Sequence, residues 1–128
     1  MSKKYKLTKE TKGYFGLTLY RIEATESFGN VSKGDKGGFI QKEENLSQDG
    51  NAWVSGDARV YGDAQVSGNA WVYGDAQVSG NARVYGNAWV YGDAQVSGNA
   101  QVSGNAWVSG NAQVSGNARV YGNAWVYG

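Results

Sequence analysis

Two patterns of apolar and polar positions divide the chain. From Asn51 to Gly128 an apolar pair recurs at every sixth position: Ala, one variable position, then Val. The full unit is [Asn/Asp]-Ala-x-Val-[Ser/Tyr]-Gly, repeated 13 times from Asn51 to Gly128 without a departure, with x only Trp, Arg or Gln. Residues 1–50 carry apolar and polar positions without that period. The expected division is an N-terminal part, 1–50, and a repeat part, 51–128, built as one continuous structural unit.

Within a repeat, Ala and Val are two positions apart and share one side of an extended strand, while x and Ser/Tyr share the other. Gly followed by Asn or Asp is turn chemistry. Each hexapeptide therefore predicts a short strand and a corner. One such strand cannot bury its apolar side alone, but a coil of them can. The variable position sets the size of the coil. Trp stands at 53, 71, 89, 107 and 125, always 18 residues apart, which is three repeats. A three-sided parallel β-solenoid of 18 residues per coil stacks all five on one flank. Thirteen repeats make about four and a third coils, roughly 20 Å tall at ~4.8 Å per coil. Its interior holds only Ala and Val, so parallel backbone hydrogen bonds and stacked identical side chains must supply much of the stability.

Val54 followed four places later by Ala58, and Val60 by Ala64, match the aliphatic-then-small motif of the hexapeptide-repeat, left-handed β-helix family, which the repeat part resembles. That resemblance implies a left-handed coil, an exception to the right-handed rule for parallel crossovers. The N-terminal part, with Leu19-Tyr20-Arg21-Ile22, Lys36-Gly37-Gly38-Phe39-Ile40 and Glu44-Asn45-Leu46-Ser47, is similar to the leader of hexapeptide-repeat proteins encoded by phages and prophages. A consensus-like design built on such a protein would read the same way. The resemblance implies the cytoplasm of a bacterial host and brings no established activity.

Residues 1–50 read as strands at Tyr5–Thr11 and Phe15–Ala24, joined at Lys12-Gly13 as a β-hairpin. Asn45–Gly50 reads as a degenerate repeat with Leu46 in the Ala slot, so coiling is expected to begin near Gly37. A hairpin cap over the open edge of the solenoid is the first expectation. A separate binding role for Lys3, Lys4, Lys6, Lys9 and Lys12 is the second. The C-terminal repeat, ending at Gly128, is expected to leave a strand edge open.

The chemistry narrows the function. The 128 residues include no Cys and no His, which excludes disulfides, thiolate or imidazole metal sites and His-dependent catalysis. Net charge is +1 with 18% charged residues, so nucleic acid is not an expected partner. No apolar run reaches a membrane span, and no secretory signal follows the basic N-terminus. Many hexapeptide-repeat proteins are acyltransferases with a catalytic His and looped-out pockets. This chain offers neither, so no catalytic residue, cofactor or metal is expected. No Thr occurs in the repeats, which argues against an ice-binding row. Asp57, Asp75 and Asp93, spaced like the Trp, form an acid column better read as corner chemistry than as a cation site. Of the other flanks, one carries Arg59, Gln77, Gln95 and Gln113, the other Gln65, Arg83, Gln101 and Arg119, and both read as solvated polar faces.

The remaining candidate is the aromatic flank: Trp53, Trp71, Tyr73, Trp89, Tyr91, Trp107, Trp125 and Tyr127. A flat outward row of Trp and Tyr is the kind of surface proteins bury against a partner. The expected role is that of a non-enzymatic structural or interaction protein. It self-associates through this face, with a two-fold dimer favoured, or through its C-terminal coil. An inhibitor bound to a host protein, such as a defence-system target, is the alternative. A carbohydrate-binding module is the lesser one.

Overall fold

The computed structural model describes residues 3–14 and 16–127, Tyr14 by its main chain only. Phe15 and Gly128, the expected ends of a strand and of the last repeat, lie outside them. Strand β1 (Tyr5–Tyr14) pairs antiparallel with β2 (Leu17–Ala24). The hairpin is therefore present, but its turn is not at Lys12-Gly13. Those residues pair with Leu19 and Thr18, and the chain reverses beside Gly16, at φ 79°. Both sites offer turn chemistry, and the cross-strand partners decide between them.

Strand β3 (Lys36–Ile40) pairs antiparallel with β2 on one edge and parallel with Arg59–Val60 on the other. The hairpin thus continues one sheet of the solenoid and covers that sheet's first edge. From there every rung lies beside its counterpart three repeats later: Trp53 beside Trp71, Arg59 beside Gln77, Gln65 beside Arg83. Three parallel sheets result, in about five turns. The chain is an all-β parallel solenoid.

The backbone bonding explains the strictness of the repeat. Trp71 N donates to Ala88 O at 3.0 Å and Tyr73 N to Val90 O at 2.9 Å; at the corner, Asp75 N donates to Gly92 O at 2.9 Å. Most corners also close on themselves, as where Ala82 N donates to Ser79 O at 3.2 Å. The Ala and Val side chains fill the interior. From Ala52 to Val108 all of them are buried.

The first turn departs from the expected register. Leu46 bridges Val66, not an Ala, and Ile40 lies beside Val60. Both pairs span a longer stretch of chain, by two positions, than pairs of later turns such as Trp53 and Trp71. The extra pair of residues falls between Leu46 and Asn51, because Asn51 N already donates to Gly68 O as a regular corner does. Asn45 is buried and holds the altered path. Its Oδ1 accepts from Gln41 N and Lys42 N at 3.0 and 2.9 Å, and its Nδ2 donates to Ala64 O at 2.9 Å. The bulged corner in turn grips the hairpin. Gln48 Oε1 accepts from Lys4 N at 2.9 Å, and Tyr5 Oη donates to Leu46 O.

Candidate functional site

The five Trp stand on one five-stranded sheet, in register: Trp53, Trp71, Trp89, Trp107 and Trp125 are successive rungs. Two residues on, the same flank carries Ser55, Tyr73, Tyr91, Ser109 and Tyr127. The alternation of strand side chains puts both columns outside, while Val54, Val72 and Val90 between them point into the core.

The columns pack as rings on rings. Trp89 stacks on Trp107 at 5.1 Å between centroids and 3° between planes, and Trp107 on Trp125 at 5.0 Å and 3°. Tyr73 stacks on Tyr91 at 5.0 Å and 5°. Between the columns the contacts are edge to face: Tyr73 on Trp89 at 6.0 Å and 76°, Tyr91 on Trp107 at 6.2 Å and 76°. Both geometries are the favoured ones for aromatic quadrupoles. Burial pushes the Tyr73 hydroxyl above its ordinary pKa, and the neighbouring Tyr91 adds to the rise. The rings of the face hold one another in place.

Exposure along the face is graded. Trp53 is only 3% exposed and does not belong to the accessible surface. The edges of Phe28 and Tyr5 cover it, with centroids at 5.4 and 6.4 Å. The expectation that it joins the interaction face is corrected by the cap, whose 25–35 connection folds over the first Trp rung. Trp71, Tyr73, Tyr91 and Trp107 are half-buried. Trp89 is 38% exposed, Trp125 65% and Tyr127 75%. At the capped end, Trp71, Tyr73 and Trp89 line a hollow of about 400 Å³ together with Asn30, Asn51 and Ser55. Sequence reasoning from the aromatic positions missed this hollow; its one signal there is Ser55, where the next two members of the column are Tyr73 and Tyr91.

The other flanks are less polar than expected. Tyr85 and Tyr121 are exposed on the Gln101 and Arg119 side and line a second, more polar hollow there. Asp57, Asp75 and Asp93 are exposed at their corner, with Arg21 of the cap 4.0 Å from Asp57. Among the described residues no group of three or more acidic side chains is placed to hold a metal ion. The cap lysines do not form one patch. Lys3 pairs with Glu43 at 3.0 Å, and Lys4 is buried, donating to Ala52 O at 2.7 Å. No helix among the described residues is long and apolar enough to cross a membrane.

A family model described as the YdcK beta solenoid repeat matches residues 52–66, 64–78, 76–92, 94–110 and 112–128. No curated protein matches the chain. The matched stretches are the rungs and corners described above and span well over half of the sequence, so the chain belongs to the YdcK beta-solenoid repeat family.

Proposed function

We propose that this chain is a non-enzymatic structural or interaction protein that pairs with a second copy through the open half of its aromatic face. The residues concerned are Trp89, Tyr91, Trp107, Trp125 and Tyr127. One observation carries the reading: beyond the capped rung, rings stacked at 5.0 and 5.1 Å form a continuous outward row, and Trp89 in the middle of that row is 38% exposed. Side chains already fixed by their neighbours lose little rotamer freedom on binding, so a larger share of the burial energy reaches the complex. Trp and Tyr supply that energy most effectively. The face is flat and uncharged, which suits a self-complementary two-fold contact.

A host protein is the other candidate occupant of the face.

Solution mass separates the two. Light scattering over a wide concentration range is expected to give a dimer for the parent chain and a monomer for the Trp89→Ser, Trp107→Ser, Trp125→Ser variant. Mass growing without limit would overturn the closed two-fold contact. A parent that stays monomeric throughout overturns the self-association reading and leaves the face for another partner.

A further inference from the structure

The hollow at the capped end of the aromatic face has a construction of its own. In the column Ser55, Tyr73, Tyr91, the two tyrosine rings stack on each other, and Ser55 lacks the ring that would cover Tyr73. The missing ring leaves part of the space of about 400 Å³, within the range of small-molecule sites. Trp71 and Trp89 give its aromatic lining beside Tyr73. The cap supplies the opposite wall. There Phe28 and Val31 exchange two backbone hydrogen bonds, of 2.9 and 2.8 Å, around the tight turn Gly29-Asn30. Gly29 sits at φ 49°, and a Cβ there would meet Asn51 at 3.3 Å, so glycine lets the turn approach the first corner closely. The wall is preformed, pinned through Phe28 on Trp53.

The lining residues bring side-chain amides and hydroxyls, on Asn30, Asn51, Asn69, Ser55 and Tyr73, beside the indole N–H groups of Trp71 and Trp89. Among the described residues no charged side chain lines it. That chemistry selects among ligands. A phosphate or carboxylate finds no cation. An alkyl chain would strand the amides without partners. A pyranose satisfies both sides, because its C–H face packs on an aromatic ring while its hydroxyls exchange hydrogen bonds with amides that donate and accept. We infer that this hollow is a binding site for a neutral pyranose saccharide. Trp71 and Tyr73 serve as its stacking platform, and Asn30 and Asn51 as its hydroxyl partners. The inference does not rest on the self-association reading: Ser55, Trp71 and the cap turn lie outside the face assigned to pairing, and Trp89 is the residue the two share.

The repeat itself provides the decisive variant. Ser55→Tyr installs the residue that the same column carries at Tyr73 and Tyr91, so it fills the hollow in register without opening a cavity. Trp emission of the full chain is followed while cellotetraose, maltotetraose, chitotetraose and mannotetraose are added separately, with trigalacturonate as the charged counter-probe. At least one neutral glycan is expected to give a saturable change, and trigalacturonate none. Ser55→Tyr and Trp71→Ala are expected to weaken that binding by about tenfold or more. Trp125→Ala, at the far end of the face, should leave it unchanged. If no neutral glycan binds, if the charged one binds as well, or if Ser55→Tyr binds like the parent, the site assignment is overturned. Light scattering on the same Ser55→Tyr protein keeps the two readings distinguishable, because its oligomeric mass should equal the parent's.

Discussion

At the scale of single residues, the corner glycines show how closely the turns approach. Gly98 and Gly116 occupy the same slot one turn apart, at φ +66° and +64°. A Cβ on Gly98 would stand 2.9 Å from Gly116 N and 3.0 Å from Gly116 O, whereas a Cβ on Gly116 meets nothing within 4 Å. Backbone conformation alone therefore penalises Ala equally at both sites, by about 1–2 kcal/mol. Contact with backbone of the next turn penalises it only at Gly98. Gly98→Ala should lower unfolding stability clearly more than Gly116→Ala in urea titrations with unchanged m-values. Equal losses would mean that strain, not stacking distance, is what demands glycine at these corners.

At the scale of elements, the hairpin is held by a few buried polar contacts. Tyr5 is the most telling of them. It is fully buried, and its hydroxyl donates to Leu46 O in the lengthened first turn. Burial, with Glu43 and Glu44 nearby, pushes its pKa far above the ordinary value of 10.0. A phenol whose folded pKa is raised contributes stability that is complete below pH 10 and is lost as pH rises above it, because only the unfolded chain ionises readily there. Tyr5→Phe removes the hydrogen bond, worth about 1 kcal/mol, and also that titration. The parent should be the more stable protein near neutral pH, and its advantage should shrink and then reverse in thermal melts taken above pH 10. A constant gap across that range would show that the Tyr5 hydroxyl is not sequestered.

The same elements mark what the sequence could tell. The rungs, corners, inside and outside faces and the Trp column were all legible, because the hexapeptide unit ties each side chain to a fixed backbone slot. The turn at Gly16 was not, since Lys12-Gly13 offers equivalent local chemistry. Nor was the lengthened first turn, because Asn45 looks like a repeat Asn until its amide is seen bridging two backbone segments. The cover over Trp53, and with it the cap-side wall of the hollow beside Ser55, depends on where the 25–35 connection folds, a non-local contact without a local signal.

At the scale of the whole molecule, each turn touches only its neighbours, so stability is close to a sum of turns and of the interfaces between them. That makes the fold tolerant of whole units and intolerant of single residues. One residue added after Gly98 moves every later side chain by one strand position, and Val102, Val108 and Val114, now buried, would face outward while their polar neighbours turned inward. The turns before Gly98 keep their register. The damage should therefore be one-sided. Hydrogen exchange is expected to remain slow from Ala52 to Val78 and to become fast from Asn99 onward, with the cap still docked through Gln48 and Tyr5. A variant carrying three whole hexapeptides inserted at the same point, one full turn in sequence, should instead protect both halves. Loss of protection throughout the single-residue variant would show that the turns fold as one cooperative unit. Protection retained beyond Gly98 would mean that the corners can absorb one extra residue, as the first turn absorbs two between Leu46 and Asn51. The two cases differ in their anchors. The first turn has Asn45 and Gln48 to satisfy the displaced backbone, and no side chain of the Gly98 corner takes their place.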